Sequence, residues 1–176
     1  MYMQKTITLF FTLILIATAS FAQTSLKEHQ VGHVFYVSLP DYMGRTMGLN
    51  SASVLQYKNS VKDVYGFIIE DNKQELELAD MKFSSISEFY EQFIGKFVKD
   101  EEKRVVSDPI YKKAGAINYA ECDVTYYDKD AATDIYYLVG IVETKSSFYK
   151  VLSWSTADNK EKFKGDFQKI IYSLKD

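Results

Sequence analysis

The sequence predicts an α+β protein, a three-layer α/β/α sandwich whose central, mainly antiparallel sheet carries a helix on each face. Three observations lead to this prediction. Several segments alternate apolar and polar residues and are joined by short turns, which is typical of antiparallel strands. Two other segments carry apolar residues at helical spacing behind a capping motif. The order of strands, helix, strands and helix indicates an α+β protein rather than a doubly wound one.

The first residues have the features of a secretory signal peptide. Lys5 provides a positive n-region, residues 7–17 form an apolar core, and residues 20–22 end in small side chains before a cleavage point near Ala22. The apolar stretch is too short for an ordinary spanning helix. A second cleavage site is offered by residues 17–19. We therefore expect an exported protein, periplasmic or secreted, from which residues 1–22 are removed.

Residues 23–176 are predicted to form a single domain. Removing 22 of the 176 residues leaves 154, close to the commonest domain length, and no repeat or linker divides them. Cys122 is the single cysteine. No internal disulfide can form, so the hydrophobic core must hold the domain together. No cofactor is expected.

The charge balance argues against two classes of partner. Without Lys5, 20 of the 21 basic side chains remain against 24 acidic ones, a net charge near −4. Nucleic acid requires a concentrated basic face, and anionic lipid attracts polybasic segments. The sequence contains neither feature, and it contains no second apolar segment of spanning length. We expect no nucleic-acid binding and no stable membrane insertion of the mature chain.

The first part of the domain is predicted to be β-structure. A β-rich strand over residues 33–39 stops at Pro40, which cannot donate to a strand ladder. A loop with two glycines covers residues 44–51. Residues 53–57 and 64–70 are then predicted to be a pair of strands joined by a short polar turn.

The first amphipathic helix follows these strands. Ser85 and Glu88 have the spacing of a capping box. Behind them runs an apolar stripe at helical spacing: Ile86, Phe89, Phe93 and Phe97. A strand is expected at residues 105–112, where Pro109 and Gly115 mark breaks in the β-structure.

Two long β segments, residues 116–127 and 134–144, bracket a polar turn. Pairing Tyr127 with Asp134 makes one face of this hairpin uniformly apolar. That register sets the following residues opposite each other: Tyr126 and Ile135, Val124 and Tyr137, Cys122 and Val139. A tight turn at residues 145–146 adds a third strand with two further pairs: Tyr137 with Trp154, and Val139 with Leu152.

The last helix is predicted to start at Asp158, with Glu161 three residues later as an acidic capping box. Its apolar stripe has helical spacing: Phe163, Phe167, Ile170, Ile171 and Leu174. Both faces of the meander carry apolar residues, so each helix is expected to cover one face.

Four segments of this layout also occur together in a known family. They are a strand ending in Leu-Pro, the helix SISEFYEQFIGKFVKD, the meander GAINYAECDVTYYDKD to DIYYLVGIVETKSSFYKVLSWST, and the closing helix NKEKFKGDFQKIIYSLK. Together they resemble the PsbP-like family over nearly all of the mature domain. The resemblance implies a three-layer α/β/α fold. Characterised members, such as the accessory protein of the photosynthetic oxygen-evolving complex, act by binding rather than catalysis. No functional residue of the family maps onto this chain.

Three aspartates are weak candidates for a cation site. Asp128, Asp130 and Asp134 lie close together in the polar turn, and hard cations favour several converging carboxylates. The glycine and glutamate that complete an EF-hand loop are missing. A solvated turn is therefore the default interpretation, and no metal is expected.

The histidines and the cysteine are weaker candidates still. His29 and His33 have a zinc-binding spacing only on a helix, and Val31-Gly32 between them disfavours one. Cys122 falls among apolar residues on the predicted sheet face, so it is expected to be a buried, inert thiol.

Tyrosine is abundant, with 14 residues in the chain. Tyr127, Tyr136 and Tyr149 are candidates for a stacking surface that contacts a partner. The alternative is that a helix covers these rings, because aromatic residues in strands mostly serve packing.

The expected function is that of an exported, non-enzymatic binding or accessory protein, which acts by protein–protein interaction with an unknown envelope protein. One alternative is a small-molecule or lipid carrier with a cleft between the sheet and a helix. A second alternative is a hydrolase whose site is assembled from scattered residues. A closed apolar cavity would favour the carrier, and an exposed aromatic patch the interaction module. Clustered carboxylates with shifted pKa values in a cleft would favour the hydrolase.

Overall fold

The structure is a computed structural model that describes residues 24–32 and 34–176. The predicted signal peptide at residues 1–22 and the predicted strand residue His33 lie outside the described residues. The described chain forms one large antiparallel sheet, a separate two-stranded hairpin and three helices. None of these three helices is long and apolar enough to cross a membrane.

The strands are β1 (Leu26–Val31), β2 (Phe35–Pro40), β3 (Gly44–Arg45), β4 (Leu55–Asn59), β5 (Val64–Asn72), β6 (Glu102–Val106), β7 (Ile110–Ala114), β8 (Ile117–Asp128), β9 (Thr133–Glu143) and β10 (Ser147–Thr156). The helices are α1 (Lys73–Leu78), α2 (Ile86–Ile94) and α3 (Lys160–Ser173), and a 3-10 turn (Ala157–Asn159) precedes α3.

The large sheet has the strand order β3-β4-β5-β10-β9-β8-β6, and β7 also pairs with β8. β6 faces residues 124–127 of β8, and β7 faces residues 117–121. The two short strands therefore lie end to end along one edge of the sheet. The predicted α+β class with a large antiparallel sheet is confirmed.

The predicted register of the meander is confirmed. The structure pairs the same residues: Tyr127 with Asp134, Tyr126 with Ile135, Val124 with Tyr137, Cys122 with Val139, Tyr137 with Trp154, and Val139 with Leu152. In the tight turn, the Thr144 backbone N–H donates to the Ser147 carbonyl at 2.9 Å. Burial enforces this register, because a slip by one residue would turn every apolar side chain to the other face.

One face of the large sheet is covered by α3 and by the hairpin of β1 and β2. α3 and the residue that follows it contribute these buried residues to the core of that face: Phe163, Phe167, Ile170, Ile171 and Leu174. The hairpin is tied to the end of α3, because the Tyr36 backbone pairs with Lys175 and the Ser38 backbone N–H donates to Ser173 Oγ at 2.8 Å. Residues 35–39 of the predicted strand therefore lie outside the large sheet.

The other face is packed by α2 and α1. Its core consists of these residues: Leu76, Phe89, Tyr90, Ala120, Cys122, Val124, Val139, Ile141, Phe148 and Leu152. Side chains of β9 and β10 alternate between the two cores, as the period of two along a strand requires. Ser85 caps α2, since its side chain accepts the Glu88 backbone N–H at 3.2 Å. The Glu88 carboxylate instead accepts from Ser84, so the capping box is only half formed.

Several element boundaries differ from the prediction. α3 begins at Lys160, because Asp158 lies in the preceding 3-10 turn and no side chain caps the helix. The strand predicted at residues 105–112 is two strands, since Pro109 lacks a donor and the chain leaves the ladder there. Three short elements, β1, β3 and α1, are not predicted from the sequence. α1 has only six residues and starts behind Asn72, whose side chain accepts two backbone N–H groups.

Candidate functional site

Four aromatic side chains, which we call the aromatic row, cross the α2 face of the sheet: Tyr65 on β5, Trp154 on β10, Tyr137 on β9 and Tyr126 on β8. Successive ring centroids are 5.4, 5.2 and 6.2 Å apart, with interplanar angles of 21°, 23° and 22°. Neighbouring rings therefore stack on one another along the row. Tyr65, Tyr137 and Trp154 are partly exposed.

Two more rings join the aromatic row to its surroundings. Phe67 contacts Trp154 edge-on at a centroid distance of 5.7 Å. Phe97, in the segment after α2, contacts Tyr137 edge-on at 5.2 Å. The aromatic surface therefore continues from β5 to the end of α2.

A groove of about 500 Å³, which we call the α2 groove, lies along the flank of α2 above β5 and β10. Its apolar lining consists of Leu76, Met81, Phe83, Phe89, Phe93, Phe97 and Val98. Its polar lining consists of Asp71, Gln92, Lys96 and Lys150. The groove is open to solvent, and its volume lies in the range of small-molecule sites.

An ion pair lies under this groove. Lys150 Nζ is 2.8 Å from Asp71 Oδ2, and the two side chains are only 17% and 21% exposed. The same ammonium is 5.8 Å and 5.7 Å from the ring centres of Phe89 and Phe93. Partial burial makes each charge depend on the other, so the pair acts as one neutral unit in the apolar lining.

A smaller cavity of about 270 Å³ adjoins the α2 groove. The two cavities share three lining residues, Leu76, Met81 and Phe83. The charged lining of the smaller cavity consists of Lys73, Glu77 and Lys82. Met81 is 43% exposed, so an apolar side chain reaches solvent where the cavities meet.

A further cavity, of about 510 Å³, lies at the β3–β4 edge of the sheet. Its lining comes from residues 45–47 and 53–56, and Arg45 is the charged side chain among them. One short stretch of chain, between residues 45 and 56, supplies the whole lining. The α2 groove, built from five separate segments, is the better candidate.

Of the three tyrosines predicted to form a partner surface, Tyr127, Tyr136 and Tyr149, two are buried in the structure. Tyr136 and Tyr149 are 0% exposed and belong to the core under α3. Burial raises the pKa of both phenols, and the Tyr136 hydroxyl donates to Asp123 Oδ1 at 2.9 Å. Tyr127 stays partly exposed near the sheet edge, with Lys103 Nζ 4.6 Å from its ring centre. Because side chains alternate between the two faces of a strand, the rings of Tyr136 and Tyr149 lie on the face that α3 covers.

The aspartates of the polar turn have a local role. Asp128 Oδ1 accepts the backbone N–H groups of Asp130 and Ala131, both at 2.9 Å, and so closes its own turn. Asp134 pairs with Tyr127 across the hairpin. Within residues 24–32 and 34–176, no three His, Cys, Asp or Glu side chains are grouped so that they could hold a metal ion.

The two histidines do not come together on a helix in the described chain. His29 lies on β1 opposite Val37, and His33 is outside the described residues. Partial burial, followed by the charges of Arg45 and Lys27, lowers the pKa of His29.

Cys122 is buried, as predicted. Its side chain is 2% exposed in the core of the α2 face. Burial raises the pKa of its thiol to about 11, and a hydrogen bond with Tyr90 opposes that rise. Since the thiolate is the nucleophilic form, this environment disfavours catalysis by Cys122.

A line of polar contacts joins β8 to α3 and is not predicted from the sequence. Asp123 Oδ2 lies 2.9 Å from Lys160 Nζ and 2.7 Å from Lys164 Nζ. One turn further, Gln168 Nε2 donates to Glu121 Oε1 at 2.7 Å. The spacing of four along α3 and two along β8 is visible in the sequence. This spacing predicts the contacts only once α3 is known to lie on β8.

This polar line does not form a cleft for a substrate. The cavity beside Glu121 and Asp123 measures about 20 Å³, room for about one water. Glu121 is 1% exposed, and its Oε2 and the Tyr172 hydroxyl have no hydrogen-bond partner among the described residues. Burial, assisted by the Glu121 carboxylate, raises the pKa of Tyr172. The contacts therefore position α3 on the sheet.

Both edges of the large sheet carry features that hinder the addition of another strand. At the β4 edge, the returning loop is tied down, because the Leu49 backbone N–H donates to Gln56 Oε1 at 2.6 Å. At the other edge, β6 contains a register shift and Pro109 interrupts the ladder. Lys112 and Lys113 are exposed on β7. Both edges are therefore poorly suited to pairing with another strand.

Comparison with solved structures identifies the fold. The chain is similar to the cyanobacterial PsbP (CyanoP) of Synechocystis sp. PCC 6803, with a TM-score of 0.60 and 8% sequence identity, over 89% of this chain and 95% of that chain. It is also similar to LpqN, involved in cell envelope biogenesis of Mycobacterium tuberculosis, with a TM-score of 0.58 and 10% identity, over 86% of this chain and 90% of that chain. No protein-family model and no curated protein match the sequence. The chain therefore has a PsbP-like fold, as its layout predicted.

Proposed function

We propose that this protein is an exported, non-enzymatic accessory protein of the cell envelope that binds a protein partner through the α2 face of its sheet. The observation that carries the proposal is the partly exposed aromatic row with the α2 groove beside it. Tyr, Trp and Phe supply much of the binding energy at protein interfaces. Removal of a signal peptide at residues 1–22 is part of the same proposal.

The remaining surfaces support this choice of face. α3 and the hairpin of β1 and β2 occupy the opposite face, and both sheet edges hinder strand addition. We also propose that the architecture has three layers, with α1 and α2 as one, the sheet as the second, and α3 with the hairpin as the third. In that arrangement the aromatic row is the apolar part of the sheet that the helical layers leave accessible.

The structural neighbours are compatible with an envelope role. LpqN is described as involved in cell envelope biogenesis, and it shares the fold at 10% identity. What the two chains have in common is the fold, and the accessory role is the proposal made here.

Photo-cross-linking tests the proposal. A photo-reactive benzoylphenylalanine replaces Tyr65 in the full-length protein, expressed in the organism that encodes it. We expect one envelope protein to be cross-linked. The matched control carries the same group in place of Val105, which is 63% exposed on β6 at the far edge. Equal adducts from both positions, or none from residue 65, would overturn the proposal.

A second candidate function, a small-molecule carrier, is favoured by one specific observation. The α2 groove lies between a helix and the sheet, and its volume of about 500 Å³ suits a small ligand. Its seven apolar side chains would shield an apolar molecule from water. Saturable binding of a fluorescent apolar probe, lost on substitution inside the groove, is the expected result for a carrier.

A further inference from the structure

The two cavities beside α2 carry an excess of positive charge. Their charged lining consists of four lysines and two carboxylates: Lys73, Lys82, Lys96, Lys150, Asp71 and Glu77. The whole chain has a net charge of −3. Because Glu143, outside the lining, pairs with Lys73 at 2.9 Å, the excess amounts to the one ammonium of Lys96, which runs against the charge of the molecule and favours an anionic ligand.

One of these lysines is available to a ligand. Lys150 is paired with Asp71 at 2.8 Å and Lys82 with Glu77 at 3.2 Å, and Lys73 is paired at 2.9 Å with Glu143, which lies outside the lining. Lys96, in contrast, forms no ion pair with any residue that the structure describes, and it is exposed at the end of α2. An anionic group at Lys96 would gain an ion pair without displacing one.

The apolar lining is elongated, as the binding of an extended alkyl chain requires. It runs along the flank of α2, from Met81 before the helix to Phe97 and Val98 after it. α2 has nine residues and is therefore about 14 Å long. Phe93 faces the groove from the helix itself. An extended alkyl chain along this flank would bury its apolar surface against aromatic rings over its whole length.

We propose that the α2 groove binds a single-chain anionic amphiphile of the fatty-acid type, with its chain along Phe93 and Phe97 and its carboxylate at Lys96. The proposal deepens the carrier function, on which it rests. A cationic amphiphile is disfavoured, because the carboxylate in the groove, Asp71, already holds Lys150. An acidic peptide segment of a protein partner is the competing occupant, and a displacement experiment separates the two.

The experiment is a displacement assay with three amphiphiles of one chain length. The full mature chain is titrated with the fluorescent fatty acid cis-parinaric acid, below the concentration at which it forms micelles. Dodecanoate is expected to displace the probe. Dodecyltrimethylammonium should displace it about fivefold more weakly, and neutral dodecanol should lie between them, as for a solvent-exposed charge pair.

Two pairs of variants locate the site. Lys96→Glu should weaken dodecanoate binding by about fivefold, whereas Lys99→Glu should change it by less than about twofold. Lys99 is exposed and lines neither cavity. Both substitutions replace a lysine by a glutamate, so the two variants have the same net charge. Met81→Glu should abolish probe binding, and Val105→Glu should preserve it. Met81 and Val105 are 43% and 63% exposed, so both variants should melt like the wild type.

The outcomes separate the ligand class from the carrier function. Equal displacement by the anionic and cationic amphiphiles would overturn the proposal but leave the carrier standing. No saturable probe binding, or binding that survives Met81→Glu, would overturn both. Competition by an acidic peptide but not by dodecanoate would assign the groove to a protein partner, and so overturn the proposal.

Discussion

Gly140 on β9 lies where α3 packs directly against the sheet. A Cβ at this position would be 2.6 Å from both Cδ1 and Cγ1 of Ile171, a side chain that is 1% exposed. Gly140→Ala should therefore lower the free energy of unfolding by about 1–3 kcal/mol through overpacking. Gly165 is the control, because it is exposed in α3 and a methyl group added there would meet no atom within 4 Å.

Gly165→Ala should raise the free energy of unfolding by about 0.5–1 kcal/mol, because alanine is the better helix former. Urea titration of both variants measures the two effects. A Gly140→Ala variant that is as stable as the wild type would show that the contact between α3 and β9 is looser than the structure has it.

The thiol of Cys122 is expected to be unreactive in the folded protein. It is 2% exposed, and burial raises its pKa to about 11. Very little thiolate forms at pH 8, and reagents cannot reach it. A maleimide should label the native protein only at the rate of unfolding, and rapidly in denaturant. Fast labelling without denaturant would contradict this prediction.

At the scale of elements, Asp123 should make the docking of α3 dependent on pH. Burial alone would raise the pKa of Asp123, but contacts from Lys164, Lys160 and Tyr136 lower it below its usual value. A carboxyl whose pKa is lower in the folded state stabilises the fold above the unfolded pKa, about 3.9. That stabilisation is lost as the pH falls through the folded pKa.

Asp123→Asn should therefore lower the free energy of unfolding by about 1–3 kcal/mol at pH 7. The difference from the wild type should shrink as the pH falls below about 4. Asp134→Asn is the control, since Asp134 is exposed and has no ion pair within the described residues. A difference that stays constant down to pH 2 would mean that the Asp123 contacts do not titrate with the fold.

Phe167 tests the packing of the whole of α3. It is 0% exposed, and its ring stacks on Tyr136 of β9 and Phe163 of α3. Phe167→Ala should cost about 3–5 kcal/mol as a buried aromatic truncation. A loss below about 1 kcal/mol in a urea titration would place this helix face in solvent.

At the scale of the whole molecule, residues from 23 onward should unfold in one transition that does not depend on calcium. The Asp128 carboxylate closes its own turn, and the loop fails the EF-hand pattern. A calcium site would add about 2.7 kcal/mol at 100 times its dissociation constant. The melting temperature should instead be equal in calcium and in chelator. A rise of several degrees that Asp130→Asn removes would establish a metal-dependent protein.

The features that could be predicted from the sequence are those whose physical cause acts between residues close together in the chain. The register of β8, β9 and β10 followed from alternation along each strand, because one slip exposes a whole apolar face. The start of α2 followed from Ser85, a cap that acts within one turn. The start of α3 did not, because the 3-10 turn that holds Asp158 is set by the exit from β10.

The sequence by itself determined the α+β class, the two amphipathic helices, the meander with its register, and the burial of Cys122. These features depend on alternation, helical spacing and caps, which act between residues close in the chain. Only the tertiary structure decided that Tyr136 and Tyr149 lie under α3 while Trp154 joins the aromatic row. It also formed the α2 groove and the line of contacts at Asp123. Those features join strands and helices far apart in sequence, and their geometry is set by which face each helix covers.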